Sequence, residues 1–253
     1  RQTARGGSRS GRRGTGGKMR VRAMAPTPEF AALERTLEDR RQKVEGALRR
    51  LVSPGGAPAV EAAVADSLFA PAKRLRPILS LLVAEVLKGN PEAVLPAGCG
   101  GIARELARAI GTDGMIAGQS VDLLMTDRQI DFPTLEFIHS RKTGALFMAS
   151  AALGAMAARA RPAEVASVVA YAKNLGLAFQ IVDDLIDATG GAEAGKDVGK
   201  DLKKTTFVSF SGVDGARALA QELIAASEAA LQPFGPRAEP LRELARYVVT
   251  RRR

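Results

Sequence analysis

Apolar residues recur at intervals of three and four along most of the chain, and that period predicts helices. Phe30, Leu33, Leu37, Val44, Leu48 and Leu51 repeat through a charged segment that ends at SPGG, which predicts an amphipathic helix over 30–51. A shorter helix is expected over 59–69. A third falls within KRLRPILSLLVAEVLKGNP, with Pro77 in its first turn and Gly-Asn-Pro at 89–91 as its stop. The stretch EAVLPAGCGGIARELARAIGTDGMIAGQSVDLLM starts as a helix, is expected to break on Gly98, Gly100 and Gly101, and then resumes. Pro133 and Thr134 open a short helix, and KTGALFMASAALGAMAARA has the small residues that let helices approach closely. Pro162 opens a long helix running through FQIVDDLID to about Thr189. Residues 190–204 form a Gly- and Lys-rich loop, and amphipathic helices at 213–232 and 237–251 close the chain. No strand alternation and no repeat of fixed period interrupts this pattern, so it predicts a bundle of about eight helices with one major core.

Composition narrows the fold class to all-α. A length of 253 residues suits one large domain or two small ones. Ala and Leu dominate the apolar residues, with only nine Phe, two Tyr and no Trp, which suits helix-on-helix packing better than a sheet.

The net charge of +10 invites a nucleic-acid reading until it is located along the chain. Residues 1–28 hold seven Arg, one Lys and no acidic residue, so the domain over 29–253 is nearly neutral and no nucleic-acid partner is expected for it. The Gly- and Arg-rich leader has no apolar period and is expected to be disordered. It reads as a transit peptide, as an artefact upstream of a start at Met19 or Met24, or as a basic arm for RNA or anionic membrane. The single Cys99 allows no internal disulfide and fits a reducing compartment. With no h-region and no run of about 18 apolar residues, neither a signal peptide nor a transmembrane segment is expected. The expected location is cytoplasmic, or plastid if the leader is a transit peptide.

Three aspartates stand in the apolar run FQIVDDLIDATG. At about 100° per residue, Gln180, Asp183, Asp184 and Asp187 fall on one stripe, while Phe179, Val182 and Ile186 lie on other faces. Carboxylates so close repel unless a cation compensates, and hard oxygen donors suit Mg²⁺ shared with substrate phosphates. An exposed stripe paired with lysines would show the same spacing. The context favours the metal: Lys196, Lys200, Lys203 and Lys204 follow in the next loop, Lys73, Arg74 and Arg76 cluster at a helix start, and Lys142 and Thr143 repeat that arrangement in RKTG. A leaving diphosphate needs such metal and ammonium charges as it forms.

With these elements in order, the chain resembles the trans-prenyl diphosphate synthases, the all-α family of farnesyl and geranylgeranyl diphosphate synthases. AKRLRP resembles the family's GKRLRP element, GMIAGQSVDL its GxxAGQxxDL helix, and RKTGALF its KTGxL element. FQIVDDLID is similar to the second aspartate-rich motif, and GKDVGKD followed by KTTF resembles the lysine loop after it. The resemblance implies an isoprenoid-synthase-type bundle and Mg²⁺-dependent head-to-tail condensation of isopentenyl diphosphate with an allylic diphosphate. It implies that Lys73 and Arg76 hold isopentenyl diphosphate, that Lys142, Thr143, Gln180 and Lys200 contact the allylic partner with Lys204 beside them, and that Asp183, supported by Asp184 and Asp187, binds one Mg²⁺. It also implies a homodimer, or a heterodimer with a related synthase.

The departures from the family pattern carry their own expectations. The first aspartate-rich motif normally follows soon after a segment like LPAGCG, but here LPAGCG runs straight into GIARELARAIGTDGM. Two or more helices are therefore expected to be missing at the Gly100/Gly101 junction, together with the first acidic motif, its histidine and its arginines. The sole histidine, His139, reads as structural. Ala72 replaces a usual glycine and Phe207 a frequent tyrosine. Little condensation activity, exposed apolar surface and poor solubility are expected to follow. The alternatives are a catalytically inactive regulatory subunit of a heteromeric synthase and a terpene-cyclising enzyme that needs one acidic motif.

Overall fold

A computed structural model of the chain describes residues 30–51, 69–70, 72–89, 100–190 and 205–251. The leader over 1–28, Cys99, the lysine loop and all but Phe69 of the helix expected over 59–69 lie outside the described residues. Among the described residues every regular element is helical: α1 (Ala31–Leu51), α2 (Leu75–Val86), α3 (Gly100–Ile110), α4 (Met115–Leu124), α5 (Phe132–His139), a π-turn (Ser140–Gly144), α6 (Ala145–Ala157), α7 (Pro162–Gly190), α8 (Phe207–Ala230), a 3₁₀ turn (Gln232–Ala238) and α9 (Glu239–Thr250). The all-α expectation is met.

The centre of the bundle is α7, which packs most extensively on α8 and then on α6, while α2 lies across α6. Its buried residues Val168, Tyr171, Ala172, Leu175 and Ala178 follow the helical period and meet Leu79, Leu82 and Val83 of α2 and Leu241, Leu244 and Val248 of α9 in one core. The length and composition of α7 would also pass for a membrane span. Here its apolar face serves helix packing instead. Two buried hydroxyls find backbone partners in this core: Tyr171 donates to the Leu241 carbonyl at 2.8 Å and Ser80 of α2 to the Ser150 carbonyl of α6 at 2.8 Å. A smaller cluster of Leu135, Ile181, Val182, Phe207, Ala216 and Ala220 closes the C-terminal end of α7.

A helix begins at Gly100 and a further interruption falls at 111–114, while the segment before Gly100 lies outside the described residues. The helix expected from about 213 follows a kink at Gly212, and a further turn precedes it from Phe207, where Thr206 and Ser209 form a reciprocal capping box. Gly212 has φ of 70° at the kink. The RKTG segment is no helix start: the π-turn joins α5 to α6 without a break, so free N–H groups are not presented there.

Large apolar side chains stand exposed on α4 and α5. Leu123 and Leu124 are 64% and 68% exposed, and Ile116, Phe132 and Phe137 join them. The expectation of exposed apolar surface is met.

Candidate active site

A π-turn inserts one residue into a helical register and re-aims the side chains after it. In this chain it carries Lys142 and Thr143. Helix α4 lies directly against it because residue 118 is glycine: a Cβ there would stand 2.3 Å from the Lys142 backbone nitrogen. That approach lets Lys142 Nζ donate to Asp122 Oδ2 of α4 at 2.6 Å. The Thr143 hydroxyl donates to Gln180 Oε1 at 3.2 Å, and Gln180 Nε2 reaches Asp184 Oδ1 at 3.4 Å. The other oxygen of Asp184 accepts the backbone N–H of Phe207, the first residue of α8, at 3.2 Å. Elements far apart in sequence thus meet at one end of α7.

Asp183 takes part in a second group. Arg251, at the end of α9, donates from Nη2 to Asp183 Oδ1 at 2.7 Å and to the Phe179 carbonyl at 2.9 Å. Its guanidinium also stacks 3.8 Å from the centre of the Phe179 ring. Burial raises the Asp183 carboxyl above its ordinary value, against the opposing pull of Arg251 and Lys73. Burial likewise lowers the Arg251 guanidinium, although Asp183 opposes it. Desolvation outweighs pairing for both partners. Lys73 lies within the same field: partial burial and then Arg251 lower its ammonium, and Asp183 raises it. A cavity of about 580 Å³ opens beside this group between α1, α2, α7 and α9. Lys73 and Arg251 line it together with Glu34 and the paired Glu38 and Arg41, and Leu37, Ile78 and Phe179 give it an apolar wall.

The remaining candidates separate. Arg76 is exposed in the first turn of α2. Arg74 adopts φ of 52° just before that helix and pairs through Nε with Glu45 of α1 at 2.6 Å, so it braces α1 against α2. Asp187 is exposed. His139 is buried, with its ring 5.2 Å from that of Phe207, as expected of a structural residue. Lys200 and Lys204 lie outside the described residues.

Among the described residues no three acidic, histidine or cysteine side chains gather as a metal-binding group. The joint reading of Asp183, Asp184 and Asp187 therefore divides. Asp184 is engaged on both oxygens, and Asp187 stands free of the bundle wall. The donor chemistry still fits Mg²⁺, which favours one or two carboxylates completed by water and phosphate over an all-protein cage. Sequence reasoning missed Arg251. The terminal TRRR offered only a basic helix end, with nothing to say which arginine turns inward.

Helices on helices, with carboxylates and cations at one end of the central helix, define a scaffold for diphosphate chemistry. The comparisons name its class. The family model for polyprenyl synthetase matches residues 101–229. The dimethylallyltranstransferase of Fischerella ambigua (strain UTEX 1903) is 32% identical over 285 aligned positions, covering 85% of this chain and 82% of that protein. The chloroplastic geranylgeranyl pyrophosphate synthase of Capsicum annuum is 39% identical over 172 positions, covering 66% of this chain and 47% of that protein. Against that plant relative the match spans about half its length. The apo crystal structure of an FPP/GFPP synthase from Zymomonas mobilis superposes with a TM-score of 0.74 at 25% identity, covering 86% of this chain and 99% of that one. This chain belongs to the polyprenyl synthetase family, whose homologous members here are prenyltransferases.

Proposed function

We propose that the chain is a short-chain prenyl diphosphate synthase that retains a diphosphate site but has only one of the two acidic walls that condensation requires. In the full reaction the C–O bond of an allylic diphosphate breaks and the diphosphate leaves with the electron pair. The double bond of isopentenyl diphosphate then attacks the allylic carbon, and loss of a proton gives a longer allylic diphosphate. The observation that carries the reading is the junction of Asp122, Lys142, Thr143, Gln180 and Asp184, which brings three separate sequence elements to one end of α7. In this reading Lys73 and Arg76 receive isopentenyl diphosphate, while Lys142, Thr143 and Gln180 orient the allylic partner, with Lys200 and Lys204 beside them. Asp183 is the residue to hold Mg²⁺, aided by Asp187. When bound, Mg²⁺ supplies positive charge to the leaving diphosphate.

Two facts support loss of the first acidic wall. The 285 positions aligned to the Fischerella protein exceed the 253 residues of this chain, so part of that relative has no counterpart here. The family match begins at residue 101, on the far side of the Gly100/Gly101 junction. Electrostatic stabilisation of developing charge is usually the largest catalytic contribution, so one wall leaves binding but little turnover. The exposed apolar face of α4 and α5 supports a dimer as part of the same reading. The naming of the relatives as synthases favours an enzyme over a silent subunit.

Calorimetric titration with isopentenyl diphosphate and Mg²⁺ tests the site. Binding should weaken about tenfold in Asp183→Asn and in Lys73→Ala, since each loss removes one charge from the anion or its metal. Unchanged affinity in both variants would refute it.

A further inference from the structure

Another cavity, of about 440 Å³, lies between α7, α8 and α9, on the side of α7 away from the acidic stripe. At about 100° per residue, its lining residues Val182, Leu185, Ile186 and Thr189 fall on the faces opposite Gln180, Asp183 and Asp187. Ala220 of α8 and Val249 of α9 complete the apolar part of the lining. All of these apolar residues belong to the smaller core cluster or pack against it, so the cavity is an opened edge of that core. Its volume is that of a small-molecule pocket.

The rim is polar and of one sign. Arg217 and Gln221 stand one turn apart on α8, and both are exposed. Among the described residues no acidic side chain lines the cavity. Arg217 pairs with Asp214 at 3.4 Å, but the Asp214 side chain is 99% exposed, and a pair so solvated contributes little. The hydroxyls of Thr189 and Thr250 donate to carbonyls of their own helices. Arg251 also lines the cavity, but its Nη2 is committed to Asp183 and the Phe179 carbonyl. Arg217 is therefore the cation that a ligand meets, with the Gln221 amide beside it.

We propose that this cavity is a second ligand site, separate from the diphosphate site, for an aliphatic monocarboxylate of medium chain length. The hydrocarbon chain covers Val182, Ile186, Ala220 and Val249, and the carboxylate accepts hydrogen bonds from the Arg217 guanidinium and the Gln221 amide. One guanidinium balances one negative charge, which favours a carboxylate over a doubly charged phosphate monoester. A neutral head forfeits the charge-assisted bond, and an ammonium head meets a like charge.

Calorimetric titration of octanoate into the full chain tests this, with acetate, octanol and octylammonium as comparison ligands. Wild type should bind octanoate saturably. Acetate, which lacks the chain, and octylammonium, which has the wrong charge, should bind at least about tenfold more weakly. Arg217→Gln should bind octanoate about tenfold more weakly, as expected on losing one charge-assisted hydrogen bond, while octanol binds both proteins equally. Ala220→Leu, which fills the apolar part of the cavity, should weaken octanoate and octanol alike. Pyrophosphate with Mg²⁺ should leave octanoate binding unchanged. Absence of saturable octanoate binding, or equal octanoate affinity in wild type and Arg217→Gln, would overturn the proposal. Displacement of octanoate by pyrophosphate would overturn it too, by placing the carboxylate in the diphosphate site while leaving the diphosphate reading intact. If Ala220→Leu fails to fold, Arg217→Gln, at an exposed position, decides alone.

Discussion

Asp184 Oδ2 accepts the backbone N–H of Phe207 at 3.2 Å, so the acidic stripe of α7 holds the first turn of α8. An anionic side chain at a helix start satisfies a donor that has no intrahelical partner and faces the positive end of the helix dipole. Neighbouring aspartates therefore have different work: Asp183 faces Arg251, Asp184 anchors a helix, and Asp187 is exposed.

That division predicts an unequal response to truncation. Asp184→Ala should lower folding stability by about 2 kcal/mol, the usual cost of losing a hydrogen bond to a charged group. Asp187→Ala should leave the melting temperature unchanged. Chemical denaturation of both variants in metal-free buffer checks this, and equal losses would refute the assignment.

Gly118 should be intolerant of a side chain. In Gly118→Ala the added Cβ meets backbone atoms of Arg141 and Lys142, which cannot step aside as a flexible side chain can. The expected cost is about 1–3 kcal/mol, typical of overpacking. Because α4 must then move off the π-turn, the Lys142–Asp122 pair should lengthen too, and pyrophosphate binding should fall beyond what Asp122→Asn alone produces. A stable variant with wild-type binding would contradict the close packing.

Much of this was legible in the sequence, for reasons that differ by residue. Apolar period placed α1, α2 and α7, because burial of one face is what makes those helices stable. The Gln180–Asp187 stripe was legible from spacing alone. The turn of α8 before Gly212 was not, since the Thr206–Ser209 cap depends on local hydrogen bonds that the apolar period does not record. The π-turn at 140–144 leaves no period to read, and the RKTG motif inside it resembled a helix start. Arg251 lay outside every motif, and its role depends on tertiary contact with α7.

The cap of α5 predicts a pH dependence. Asp131 accepts the Thr134 backbone N–H at 3.0 Å, and hydrogen bonding to Thr134 holds its carboxyl below the ordinary value. A depressed folded-state pKa gives stability that is present above the unfolded value and lost as pH falls through the folded one. Asp131→Ala should therefore melt below wild type at neutral pH, and the gap should narrow as the pH falls below the ordinary carboxylate range. A gap independent of pH would show that the carboxylate charge contributes nothing.

The central claim is that a polyprenyl synthetase scaffold with one acidic wall binds diphosphate but scarcely condenses it. Turnover of isopentenyl diphosphate with an allylic diphosphate in saturating Mg²⁺, measured beside the Fischerella relative under the same conditions, tests it most directly. The account predicts a rate at least about 100-fold below that relative, the scale on which losing preorganised charge stabilisation slows an enzyme. A rate within a few-fold of the relative would contradict it.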